Sequence, residues 1–529
     1  MVSRTANHWR NTVILSLLSF SLSPALAGQQ RRRPPMRPPA PHAVKAKNNF
    51  QLPPKGQVVT QHSIRIHGTV LNYTATAGTI ALHDTYGKLQ ARVFYVAYTL
   101  PHENAVQRPL TFCFNGGPGS STVWLHLGGI GPQRVVLQPN GLLPRPPFQI
   151  APNPETILPF TDLVFIDAIG TGYSRSINRA TGRQFWGLEG DLHAFGEFIR
   201  LYLNQNGRWT SPLFLLGESY GTTRAAGLAG YLERQGIALN GISLLSTVLD
   251  FRTLSFAHNN DLPYVLYVPS YADTAWYHHQ LSPALEKLPV SKVSAEAKAF
   301  AQNVYYPALM AGSSLPAAQK EAVARQLSRF TGLTYQYVLR SDLRIPNARF
   351  DRELLRNRNL AVGRLDSRYT AWQYNAVGEY PSYDPSDAAL TPPFTSMLYH
   401  YLRQDLNYKT NLYYYILGGG IGPWNFSRGP RGYAGWGGYP NVSGSLRRAF
   451  EKNPYLKVFV AMGYYDLATP YMAVEYTLNQ MHLAPSARAS ISTAFYHTGH
   501  MIYVDQTALA KLHNDLLAFY RKAAPGDVH

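Results

Sequence analysis

The run Leu213-Phe214-Leu215-Leu216-Gly217-Glu218-Ser219-Tyr220-Gly221-Thr222 passes from a continuous apolar stretch into a serine held between two glycines. A short apolar run bounded by glycine reads as a buried strand, and the residues that follow have a helical pattern. The chain must therefore turn sharply from strand to helix at Ser219. Glycines at 217 and 221 let backbone segments approach closely enough for the serine hydroxyl to stand clear of the sheet, the geometry of a nucleophile elbow.

The remaining apolar runs give that elbow its setting. From Val58 to Phe114 apolar and polar residues alternate in short runs, such as Ser63-Ile64-Arg65-Ile66-His67, as half-buried antiparallel strands require. Continuous apolar runs at 109–114, 163–166, 213–216 and 455–460 suit central parallel strands covered on both faces, and 191–204 is a helical pattern between two of them. The reading is an α/β fold of the α/β-hydrolase kind, with a mixed, mainly parallel central sheet. Its core is carried by 56–250 and 446–529, and 251–445 is an inserted cap. Tyrosines between Tyr264 and Tyr277, at Tyr401 and from Tyr413 to Ile416 are suited to lining a partly apolar groove in that cap.

Composition limits the function classes. The chain has 529 residues, 45% hydrophobic and only 15% charged, enough for a large packed core and too few charges for a disordered polyelectrolyte. The net charge of +19 is spread without a basic helical stripe, so no nucleic-acid partner is expected. Residues 1–27 carry a short basic start, an apolar stretch and an Ala25-Leu26-Ala27 ending, the pattern of a cleaved secretory signal. Residues 28–55 are Pro- and Arg-rich and read as a tether. No later run is long enough for a membrane span. The single cysteine, Cys113, permits no intramolecular disulfide, which for an exported chain suits a bacterial periplasm or the extracellular space. Oligomeric state is not legible.

Three further motifs supply chemistry. Asn115-Gly116-Gly117-Pro118-Gly119-Ser120-Ser121 follows the first parallel strand and can aim bare backbone amides at a ligand. Gly117 and Tyr220 are the natural pair of N–H donors for an oxyanion. Asp466 follows a strand at Gly463-Tyr464-Tyr465, and His500 lies in the loop Phe495-Tyr496-His497-Thr498-Gly499-His500-Met501. The order Ser219, Asp466, His500 is that of α/β hydrolases, with His500 as base and Asp466 as its orienting acid. His497 is a rival base, and Asp250 and Asp505 are rival acids. Gly418-Gly419-Gly420-Ile421-Gly422 lacks the strand–helix context of a nucleotide loop. No metal or cofactor is called for.

These motifs, with Phe165-Ile166-Asp167 and Gly170-Thr171-Gly172-Tyr173-Ser174, resemble the serine carboxypeptidases, secreted α/β hydrolases that remove C-terminal residues from peptides. The resemblance implies a peptide substrate, triad roles for Ser219, Asp466 and His500, oxyanion donors at Gly117 and Tyr220, and carboxylate binding by Asn115, Gly116 and Glu218. In that family the substrate carboxylate is met by a cluster with two glutamates. Glu218 matches one, whereas the other falls at Gly129, and the family's tryptophan before the glycine loop is Cys113 here. An arginine can grip a carboxylate through paired hydrogen bonds, so Arg175, in the loop after 163–166, is the expected substitute, with Arg134 and Arg224 as further candidates. A permanently charged arginine would keep activity on free C-termini toward neutral pH. A serine esterase or acyltransferase with the same triad is the alternative reading.

Overall fold

A computed structural model describes residues 51–101, 108–426 and 439–524. The expected signal and tether fall almost wholly outside the described residues, as does part of the expected cap. Nine strands form one sheet: β1 (Gln57–Ile66), β2 (Thr69–His83), β3 (Leu89–Thr99), β4 (Leu110–Phe114), β5 (Asp162–Ile166), β6 (Leu213–Ser219), β7 (Gly241–Thr247), β8 (Lys457–Gly463) and β9 (Ile491–Tyr496). A two-residue strand, Arg175–Ser176, also pairs with β3. Their spatial order is β1-β2-β3-β5-β4-β6-β7-β8-β9. The first three pair antiparallel, β3 also meets β5 antiparallel, and every pair from β5 to β9 is parallel. Antiparallel entry strands, one exchange of order at β5-β4 and a parallel run beyond it define the sheet of an α/β hydrolase.

The hairpin between β1 and β2 turns through His67 and Gly68, both at positive φ (45° and 89°), as a two-residue hairpin requires. Central strands bury both faces, which explains their unbroken apolar runs. Leu110, Phe112, Phe114 and Leu215 face one core with α1 (Leu188–Asn206) and α2 (Tyr220–Arg234). Cys113, Phe214 and Leu216 face the other core, with α3 (Gln506–Ala523). There the Phe214 ring stacks on Tyr520 at a centroid distance of 4.2 Å.

The expected parallel strands all form. β7 and β9 went unforeseen: Ser243, Ser246 and Thr247 interrupt the apolar character of β7, and β9 is a half-buried edge strand. The described residues between β7 and β8 are largely helical, with helices at Val268–Tyr277, Val290–Phe300, Ala317–Thr331 and Pro385–His400. Its segment around 415–421 docks on the glycine loop: Ser121 N donates to Ile416 O (2.8 Å) and Gly418 N to Gly119 O (2.8 Å). The glycine run at 418–422 thus packs against protein backbone. Among the described residues no helix is long and apolar enough to cross a membrane.

Candidate active site

Ser219 ends β6 and precedes α2 at φ 59°, ψ −130°, a conformation costly for a residue with a Cβ. Close packing on both sides holds it there. A Cβ at Gly221 would lie 2.5 Å from Phe114 O, and one at Gly116 would lie 2.3 Å from Tyr220 N. The glycine loop and the elbow can therefore interlock only without side chains at these positions. A cavity of about 460 Å³ opens at this point, lined among others by Asn115, Gly116, Gly117, Glu218, Ser219, Tyr220 and His500.

His500 is buried, and its Nδ1 lies 2.8 Å from Asp466 Oδ2. The Asp466 carboxylate also accepts from Ala468 N (2.8 Å), Thr469 N (2.9 Å) and Thr469 Oγ1 (2.7 Å). Burial opposes charge on both partners, but their mutual attraction and these donors outweigh it. The net result is a lowered Asp466 pKa and a raised His500 pKa. The histidine loop is fastened from outside: Ser246 Oγ donates to His500 O (2.6 Å) and His500 N to Leu365 O (2.7 Å). Arg368 donates to His497 O (3.2 Å), Thr498 Oγ1 (2.8 Å), Asp366 and Asp505, while Asp366 accepts from Gly499 N (3.2 Å).

The rivals are engaged elsewhere. His497 is exposed, with its ring against Tyr464. Asp250 caps the turn at Phe251–Thr253 and pairs with Arg252, and Asp505 caps α3.

Glu218 is buried behind Ser219, and burial pushes its pKa up to about 7 against the lowering influence of His500, Tyr503 and Asn115. Asn115 Oδ1 accepts from Leu125 N (3.0 Å), which turns its amide nitrogen the other way. Arg175 is not brought to the cavity. Its guanidinium donates to the carbonyls of Gly172 (2.9 Å), Ser174 (2.9 Å) and Tyr413 (2.5 Å) and lies over the Tyr415 ring, so it ties two loops together. Arg224 is likewise occupied, by Asp191 and by Asn115 O (2.7 Å). Arg134 is not among the residues lining the cavity; it lies in a small two-stranded sheet opposite Ala151. Cys113 is a buried free thiol in the core. Thr469, Arg368 and Tyr503 were not singled out from sequence. Only Thr469, three residues after Asp466, carried a local signal, that of a side chain closing its own turn.

The glycine loop, the Gly170–Ser174 loop and the elbow all fall within residues 71–252, which match the family model for serine carboxypeptidases. No curated protein matches the sequence. Among solved structures, a Kex1 form from Saccharomyces cerevisiae described as a prohormone-processing carboxypeptidase aligns over 84% of this chain and 91% of its own, at 14% identity and a TM-score of 0.48. Proline iminopeptidase from Mycobacterium smegmatis aligns over 85% and 98%, at 12% identity and a TM-score of 0.36. A carboxyl esterase from Bacillus coagulans aligns over 85% and 99%, at 12% identity and a TM-score of 0.34. The departure at Gly129 lies inside the matched segment.

Proposed function

We propose that this protein is an exported serine carboxypeptidase that releases C-terminal residues through an acyl-enzyme on Ser219. The observation that carries the reading is the Asp466–His500 hydrogen bond ending at a cavity that Ser219, Glu218 and Asn115 also line. His500 Nε2 takes the Ser219 proton as Oγ attacks the scissile carbonyl, and Asp466 fixes the tautomer and stabilises the imidazolium. The N–H groups of Gly117 and Tyr220 hold the oxyanion of the tetrahedral intermediate. His500 then protonates the departing amine. Water, deprotonated by His500, attacks the acyl-enzyme and frees Ser219. The leaving residue's carboxylate rests against Asn115, the Gly116 backbone and protonated Glu218. Residues 251–445 act as the cap over this groove.

The cavity also has apolar walls, including Trp124, Phe251, Leu254 and Met501, which would accept an aryl or acyl ester as readily as a peptide. The experiment is therefore a panel. A fluorophosphonate should label Ser219 alone, and N-blocked dipeptides with free C-termini should be cleaved in preference to their amides. Labelling with ester turnover but no cleavage of free dipeptides would assign the esterase or acyltransferase reading instead.

A further inference from the structure

Gly129 leaves the carboxylate cluster short of a glutamate, and the structure has a different residue at that place. The ring of Tyr503 lies along the Gly128–Gly129 backbone. A Cβ at Gly128 would sit 2.3 Å from Tyr503 Cε2, and one at Gly129 would sit 2.7 Å from Tyr503 Cβ and 2.7 Å from Leu509 Cδ1. A side chain at Gly128 would meet the Tyr503 ring and one at Gly129 would meet Tyr503 Cβ and Leu509, so Tyr503 and Leu509 fill the space that a glutamate at 129 would need. Asn115 Nδ2, Glu218 Oε2 and Tyr503 Oη are all buried polar atoms without a hydrogen-bond partner of good geometry. Buried polar atoms in native proteins are ordinarily satisfied, so three in one place point to a ligand. The three side chains influence one another, with Tyr503 and Asn115 each acting on Glu218 and Asn115 acting on Tyr503.

We infer that Tyr503 is a positioning residue that replaces the second glutamate: its hydroxyl holds the Glu218 carboxyl so that this group, together with the Asn115 amide, meets the terminal carboxylate of the substrate. The inference rests on the carboxypeptidase reading above. Burial keeps the Tyr503 hydroxyl far above its ordinary pKa, so it remains a donor throughout the working range. The charged groups that face Glu218 are His500 and, beyond it, Asp466. Neither replaces a donor on the Gly129 side.

Tyr503→Phe keeps the ring against Gly128 and Gly129 and removes only the hydroxyl. The probes are an N-blocked dipeptide with a free C-terminus and the methyl ester of the same N-blocked amino acid, which forms the same acyl-enzyme without presenting a carboxylate. The variant should raise KM for the dipeptide about tenfold more than for the ester, the loss expected of one hydrogen bond to an ionisable group. Because the hydroxyl lowers the Glu218 pKa, the alkaline limb of kcat/KM for the dipeptide should also move to higher pH. Equal losses on both probes, or an unmoved alkaline limb, would overturn the assignment. Gly129→Ala, which crowds Tyr503 at its Cβ and so displaces the whole side chain, should give the same dipeptide-selective defect; a defect equal on both probes would again count against it. Failure of the underlying reading is seen separately in the wild type, as the absence of any preference for the free dipeptide over its amide, which leaves Tyr503 no carboxylate to serve.

Discussion

Asp466 and His500 are joined by a 2.8 Å hydrogen bond between Oδ2 and Nδ1, and the same carboxylate is held by Ala468 N, Thr469 N and Thr469 Oγ1. The acid is thus immobilised by the turn that follows it. Asp466→Asn keeps the shape but cannot hold the Nδ1–H tautomer, so kcat should fall by about 10⁴ with little change in KM, measured on the ester. A loss of only a few-fold would remove Asp466 from the triad.

His500 and His497 are separated by exposure as well as by partners. His497 is a surface ring whose backbone carbonyl serves Arg368. His500→Ala should abolish measurable burst and steady-state turnover, whereas His497→Ala should retain kcat within about threefold, since exposed substitutions are usually nearly neutral. Stopped-flow acylation on both variants checks this, and the reverse ranking would move the base.

Two substrates should report two different pH profiles. His500 must be neutral to act as base, and Asp466 raises its pKa despite burial, so activity on every substrate rises as His500 loses its proton. Glu218 must be protonated to meet a carboxylate, and burial lifts its pKa to about 7. Free dipeptides should therefore follow a bell that falls above about pH 7, while the ester should reach a plateau. Identical profiles would show that Glu218 does not read the carboxylate. The neutral-pH activity expected from a permanently charged Arg175 has no basis in the structure, because that guanidinium is spent on backbone carbonyls.

The elbow, the glycine loop and the positions of Asp466 and His500 were legible because each is a short local pattern whose glycines or apolar flanks mark its geometry. Tyr503 was not, since its partner Gly129 lies far away in sequence and a missing side chain gives no hint of what fills its place. Asp366 and Arg368 were hidden for a related reason: they belong to the long connection between β7 and β8 yet grip the histidine loop near the C-terminus. Fold class came from strand runs. The extra strands β7 and β9 did not, because hydroxyl residues and half-exposure blur the apolar signal.

Arg368 links that connection to the histidine loop and to the start of α3 through ion pairs with Asp366 (2.7 Å) and Asp505 (3.1 Å). Arg368→Ala leaves Asp366 buried without its cation and should cost about 3–5 kcal/mol in stability, followed by chemical denaturation. Adding Asp366→Ala should recover part of that loss. A cost below about 1 kcal/mol would place the pair among ordinary surface bridges.

Removal of C-terminal residues by acylation of Ser219 is read out by mass spectrometry of a peptide digested with the wild-type protein and with Ser219→Ala. The wild type should give a ladder of products shortened from the C-terminus, each step releasing a free amino acid, and the variant should leave the peptide uncut. Internal fragments without a ladder, or a ladder that persists with Ser219→Ala, would contradict it.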